Sequence, residues 1–226
     1  FELIVVSDGS TDGSMATLDG AGPEVRVVEL PENRGKGGAL HAGFSRARGA
    51  WVGFVDSDGD IDPAHLVEYL IIGRETGADM VYANKKHSGS ISASSPFRKL
   101  VSFGFSSLVG ALFSLGVNDT QTGCKLMRRE VMADVLPRMR ETRFAFDLEL
   151  FVAASSAGYK TAVAAPVELK ERLAGSSVSK STILRTLKDA LTVLARRDST
   201  STYAMAVRPQ SQVFTKHAGV PGSRAS

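Results

Sequence analysis

Three aspartates stand at alternate positions in the string VDSDGDID, residues 55–62: Asp56, Asp58 and Asp60. They come directly after an apolar run, Ala50–Val55, that reads as a buried strand. Carboxylates crowded at a strand end repel one another unless a cation neutralises them. A ligand set made only of oxygen suits Mg²⁺ or Mn²⁺, so these three are candidate metal ligands. Asp62 has a simpler reading, as the N-cap of a helix opening at Pro63. A second polar cluster, Ser7–Gly13, closes the first apolar run. By itself it reads as an Asp/Gly/Ser turn, with Asp12 placed to cap the next helix. A third segment, ENRGKGGALHAGFSRARG over residues 32–49, sets Lys36 among glycines. Glycines let a backbone approach closely, and an ammonium group there can meet a phosphate. The four histidines, His41, His65, His87 and His217, show no metal-ligand spacing.

The elements that must hold these clusters can be read from the apolar pattern. Strands are predicted at Glu2–Val6, Val25–Leu30, Ala50–Val55 and Asp79–Ala83. A helical stretch comes after Gly13, and further helices are predicted at Gly38–Arg48 and Pro63–Glu75. Such alternation implies an α/β fold with a largely parallel sheet. These folds take ligands at the carboxyl ends of their strands, where Ser7–Gly13 and Asp56–Asp62 both lie. In the second half, Lys85–Lys99 is polar and loop-like, and Leu100–Val117 is uncharged throughout. The latter falls short of the roughly 20 apolar residues that span a bilayer and reads as a buried or interfacial helix. Asp147–Ala157 reads as a helix and Thr161–Leu169 as a strand. Thr182–Arg197 is amphipathic, with Ile183, Leu184, Leu187, Leu191 and Leu194 on one face against Arg185, Lys188 and Arg196.

Composition bounds the rest. A chain of 226 residues that is 43% hydrophobic and 23% charged suits one globular domain, here 1–197, with a flexible tail over 198–226. A single cysteine excludes a disulfide scaffold, and Cys124 reads as a small buried residue. The net charge is +3, but residues 199–226 hold Arg208, Lys216 and Arg224 and no acid. Taking those 3 from 27 basic residues leaves 24 against 24 acidic ones in the body. A neutral body gives no case for a nucleic-acid partner.

Three known patterns can produce the aspartate string. An EF-hand loop would need Gly and Glu where Ile61 and Val67 stand, so that reading fails. A haloacid-dehalogenase-type phosphatase would match Asp56-Ser57-Asp58-Gly59 but has Thr at the position of Asp60. The third is the Asp-x-Asp of nucleotide-sugar glycosyltransferases. Other segments favour it. VVSDGSTDGS, residues 5–14, resembles the second-strand signature of family 2 glycosyltransferases, with Ser7 at the first Asp position and Asp8 at the second. The block around Lys36 resembles the family's Asn-x-Gly-Lys-Gly-x-Ala. LGVNDTQTGCKLMRREV (115–131) and RFAFDLELF (143–151) look like the dolichyl-phosphate glucosyl- and mannosyltransferases, with Cys124 in place of Phe. ELKERLAGSSVS (168–179) fits their later loop.

The resemblance covers roughly residues 2–197 and implies a GT-A fold with a mixed, mostly parallel sheet flanked by helices. It implies inverting transfer of a hexose from UDP-glucose or GDP-mannose to a polyprenyl or dolichyl phosphate, assisted by Mg²⁺ or Mn²⁺. A transferase with a soluble hydroxyl acceptor and a non-catalytic nucleotide-sugar-binding module are the rivals within the fold. Asp8 is then expected at the nucleoside and Lys36 at the diphosphate. Asp56, Asp58 and Asp60 are expected at the metal. A phosphate acceptor is already anionic near neutral pH and needs cations more than a base, which makes Lys125, Arg128 and Arg98 candidates to hold it. Asp147 and Glu149 stand where family members approach the acceptor: Asp147 as base for a hydroxyl, or as the group that orients a cation or the donor sugar if the acceptor is phosphate. Asp119 is expected to hydrogen-bond within the acceptor loop. A lipid acceptor implies peripheral contact with the cytoplasmic face of a membrane. The resemblance begins at the family's second strand. The first strand is therefore expected to be missing, and its loss to leave sheet edges bare.

Overall fold

Short apolar runs punctuated by glycine and aspartate form the strands of the first half. β1 (Leu3–Ser7) and β2 (Val25–Glu29) pair in parallel, with Leu3 opposite Val25. Between them the helical stretch is a single 3₁₀ turn, Ser14–Leu18, where the Ser14 N–H donates to Asp12 Oδ1 (3.0 Å). The structure is a computed structural model. It describes residues 1–92, 117, 119–143, 145–170, 180–198 and 203, apart from the side chains of 92, 180–187 and 198. Arg98, nearly all of Leu100–Val117, and residues 171–179 lie outside the described residues.

Helix α1 (Gly35–Phe44) begins three residues earlier than predicted. Gly35 makes this possible by taking φ +78°, a conformation that costs glycine little. Lys36 therefore stands on the first turn of a helix rather than in a loop. β3 (Trp51–Val55) and α2 (His65–Thr76) come next, then β4 (Met80–Ala83). Helix α2 starts two residues later than predicted, with Ala64 as its N-cap, so Asp62 does not cap it. In the turn before it, Asp62 Oδ1 accepts from the Ala64 N–H (3.0 Å), which holds its carboxyl below the usual carboxylate range.

The second half departs further from the predicted pattern. Residues to which the sequence pattern assigns no element form β6 (Cys124–Arg128), wedged antiparallel between β3 and β4. With β7 (Ala162–Ala165) parallel to β4, the sheet order is β3-β6-β4-β7. The strand predicted over 161–169 breaks at Pro166, which has no N–H to give a ladder. Its remainder, β8 (Glu168–Leu169), pairs in parallel with β5 (Ile91–Ser92).

β1–β2 forms its own sheet, and among the described residues no backbone hydrogen bond joins β1 to β3. Glu2 links their starts instead. Its Oε1 accepts from the N–H groups of Arg48 (2.6 Å) and Gly49 (3.2 Å), and its Oε2 pairs with Arg26. Each strand thus keeps one edge without a ladder among the described residues.

Helices α3 (Arg129–Val135), α4 (Phe146–Ser156) and α5 (Lys180–Asp198) complete the fold. Every residue of α4 from Phe146 to Ala154 is buried, Asp147 and Glu149 included, so those two carboxylates must find partners inside the protein. Ala190 and Val193 face this core, whereas Leu191, expected on the apolar face of α5, is 57% exposed. Tyr203 lies past the predicted domain limit at 197, yet it is 3% exposed and packs in the same core. The domain therefore reaches at least that residue.

Truncating a side chain of α4 should be costly. Leu148→Ala is expected to lose about 2–5 kcal/mol in urea denaturation, while Val67→Ala, on the exposed face of α2, should stay within about 0.5 kcal/mol.

Candidate active site

The carboxyl end of β3, the amino ends of α1 and α4, and the start of β6 converge on one set of charges. Lys125 is fully buried, which is unusual for a lysine. Its cross-strand neighbours are Phe54 and Tyr82. Its Nζ donates to Asp147 Oδ1 (2.6 Å) and to the Thr122 carbonyl (2.7 Å). The other Asp147 oxygen, Oδ2, pairs with Lys36 Nζ (3.0 Å), and Lys36 reaches on to Asp56 at 2.9 Å. The result is an alternating chain Lys125–Asp147–Lys36–Asp56 whose charges cancel. Both ammonium groups lie over the Phe54 ring, 5.1 and 5.3 Å from its centroid, a favourable cation–π setting. Asp147 stands in the first turn of α4, where the helix dipole favours an anion.

Burial and partners pull these groups in opposite directions. Burial depresses the Lys125 ammonium below the ordinary lysine value, and Asp147 offsets only part of this. Burial also works against the Lys36 charge, but Asp147 and Asp56 outweigh it and the net shift is upward. For Asp56, burial raises the carboxyl above its usual range despite the attraction of Lys36.

Gly123 supplies the space for this arrangement. A Cβ there would overlap the Asp56 carboxylate. Its carbonyl also accepts the Asp56 N–H (2.8 Å), so backbone and side chain of Asp56 are seated by one residue. Sequence pattern does not single it out, since its signal is only the Gly before Cys124.

Several expected residues gather here and others do not. Asp8, at the end of β1, accepts the Arg34 N–H (2.7 Å) and so braces the entry to α1. Asp119 does organise its loop: it accepts from the Lys85 and Gln121 N–H groups and the Thr122 hydroxyl. Lys125 is not placed to hold an acceptor phosphate, because it is sealed beneath the site. Arg128 is at the other end of β6, opposite Trp51, where it donates to the Ala78 carbonyl (3.1 Å) and lies over the indole. Antiparallel pairing is the reason: each step from Lys125 to Arg128 leads away from Asp56. Glu149 is fully buried on α4 and binds backbone and side chains of the protein rather than facing the site.

The three aspartates do not converge on one point. Asp56 turns to Lys36. Asp58 is exposed, and its Oδ1 accepts the Asp60 N–H (3.2 Å). Among the described residues no three His, Cys, Asp or Glu side chains gather as a metal site. Asp58 does present a hard oxygen donor at the end of β3, which fits Mg²⁺ or Mn²⁺ as a single protein ligand, since such ions accept most of their shell from water and substrate phosphate.

The family model for glycosyl transferase family 2 matches residues 1–136. This chain belongs to that family. The phosphatase reading of the aspartate string falls with that match. The dolichyl-phosphate beta-glucosyltransferase of Homo sapiens is 35% identical over 162 residues, 66% of this chain and 50% of that protein. Dolichyl-phosphate beta-glucosyltransferase ALG5C of Trichomonas vaginalis is 34% identical over 183 residues, 76% of this chain and 53% of that protein. The chain spans about half the length of these curated relatives. Solved structures agree on the GT-A fold. Mannosyl-3-phosphoglycerate synthase from Rubrobacter xylanophilus superposes with TM-score 0.66 over 94% of this chain and 68% of that one, at 18% identity. Glucosyl-3-phosphoglycerate synthase from Mycobacterium tuberculosis, in complex with Mn²⁺, UDP and glucosyl-3-phosphoglycerate, does so at 0.64 over 87% and 68%, at 21% identity.

Two substitutions test the site within the family frame. Gly123→Ala should cost about 1–3 kcal/mol by overpacking and displace Asp56 from Lys36, visible in a crystal structure. Asp56→Asn should behave oppositely. Because the folded-state value is raised, ionised Asp56 opposes folding above its ordinary value of 3.8. The variant should therefore melt no lower than the parent at pH 7, and any gain should vanish as the pH falls to 3.8, as calorimetry would show.

Proposed function

We propose that this chain forms the catalytic domain of an inverting hexosyltransferase that moves glucose from UDP-glucose to a polyprenyl or dolichyl phosphate. The observation that carries this reading is the state of Asp147. Its two oxygens are each taken by an ammonium group, and its side chain is 2% exposed. A transferase acting on a hydroxyl needs a base that can reach that hydroxyl, and Asp147, the expected candidate, is engaged elsewhere. A phosphate acceptor needs none, because its second ionisation lies near pH ~6. Both curated relatives carry the name dolichyl-phosphate beta-glucosyltransferase, which supports glucose and the lipid phosphate over GDP-mannose and a soluble acceptor.

In this reading the donor lies across the ends of β1 and β3. Asp8 borders the nucleoside. Lys36, anchored by Asp147 and Asp56, offers positive charge to the diphosphate as the sugar C1–O bond breaks and the leaving group takes the electron pair. An acceptor phosphate oxygen forms the new bond from the opposite face, which converts an α-linked donor to a β-linked product. Asp147 keeps Lys36 in place and moves no proton. Asp58 would hold Mg²⁺ or Mn²⁺, which supplies Lewis-acid stabilisation to a departing diphosphate; Asp60 borders it. Among the described residues no helix is long and apolar enough to cross a membrane. We assign the lipid to peripheral contact at the cytoplasmic face.

Full-length enzyme given labelled UDP-glucose and polyprenyl phosphate should transfer label to the organic phase. Label found only in a water-soluble product would reject the assignment. Lys36→Ala is expected to lower kcat about 10²-fold or more, and Asp58→Asn to abolish Mn²⁺-dependent donor binding in calorimetry while leaving the melting temperature unchanged.

A further inference from the structure

Glu149 lies two residues beyond Asp147 on α4 and, like it, is fully engaged. Its Oε2 accepts the backbone N–H groups of Arg140 (2.9 Å) and Glu141 (2.7 Å). Its Oε1 accepts the Tyr203 hydroxyl (2.5 Å) and an Arg196 guanidinium N–H (3.3 Å), and Arg196 also pairs with Glu141 (2.8 Å). A buried carboxylate without partners is costly, so these donors act together to fix one arrangement of α4, α5, Tyr203 and the 140–142 loop.

That loop in turn supports α1. The Thr142 carbonyl accepts the Gly38 N–H (3.2 Å). A Cβ at residue 35 would lie 2.5 Å from the Thr142 oxygen, and one at residue 37 would lie 2.6 Å from the Glu141 oxygen. The helix can rest on the loop this closely only because both positions are glycine, and Lys36 stands between them. Elsewhere the two elements are parted by an open cavity of about 430 Å³, lined in part by Leu30, His41, Ser45 and Met139. On the side away from the cavity the loop is held by Glu149, through the Arg140 and Glu141 N–H groups, and by Arg196 through the Glu141 carboxylate.

We infer that Tyr203 and Arg196 are positioning residues for the transfer reaction: through Glu149 and the 140–142 loop they set where Lys36 stands against Asp56 and Asp147. Both lie beyond residue 136, where the family match ends. The inference rests on the proposed role of Lys36 at the donor.

The test uses full-length enzyme carrying isotope-labelled lysine, with the Lys36 signal identified by its loss in Lys36→Arg. In Tyr203→Phe the Lys36 ammonium should titrate lower than in the parent, toward an ordinary lysine. kcat should fall roughly tenfold to 10²-fold, as a small misplacement of a charge allows, with a smaller change in donor KM. Glu149→Gln keeps an oxygen for the two loop N–H groups and loses the Arg196 pair, so its loss should be milder than that of Glu149→Ala. If Tyr203→Phe does not fold, Arg196→Met carries the same measurements. A lower melting temperature with Lys36 titration and kcat unchanged would overturn the inference and leave Tyr203 a purely structural residue. A shifted Lys36 with unaltered transfer would uphold the relay and count instead against the donor-site reading.

Discussion

A lysine ammonium buried within a β-sheet constrains everything around it. Lys125 has no water to solvate it, so the fold must supply an anion and a carbonyl at short range. Asp147 and Thr122 do this from α4 and from the turn before β6. Meeting that demand fixes the first turn of α4 against the end of β3, and it fixes the second Asp147 oxygen at the place where Lys36 arrives from α1. The site is therefore assembled outward from its deepest charge. The exposed aspartates that dominate the sequence come last.

The antiparallel insertion of β6 is what makes this geometry possible. A parallel strand in that place would enter the sheet at the opposite end. Running the other way, β6 starts where β3 finishes, with Cys124 opposite Val55. Gly123 can then press against Asp56, and Lys125 can pass under Phe54. The same direction carries Arg128 to the far edge, where it stacks on Trp51 and has no part in the chemistry. Two basic residues three positions apart thus have unrelated roles, decided by strand direction.

The fold is legible in the sequence where local pattern suffices. The four strands of the first half, α2, α4 and the polar clusters at strand ends all come from apolar runs and turn residues. Legibility ends where a distant partner decides. In CKLMR the two cations hide a strand, because their polarity argues against burial unless Asp147, 22 residues on, is known to wait beneath. Glu149 looks like a site group for the same reason: its partners at Arg140, Arg196 and Tyr203 come together only in the fold. Tyr203 reads as part of a tail because nothing near it in sequence is periodic. Pro166 is a break that the sequence does carry, masked by an otherwise strand-like run.

The cancelled charges of the Lys125–Asp147–Lys36–Asp56 chain also bear on how ligands arrive. A cluster that is neutral within a few ångströms projects little field into solvent. The cluster itself therefore contributes little to steering a ligand from a distance, and a group feels the Lys36 charge only once it has reached contact range.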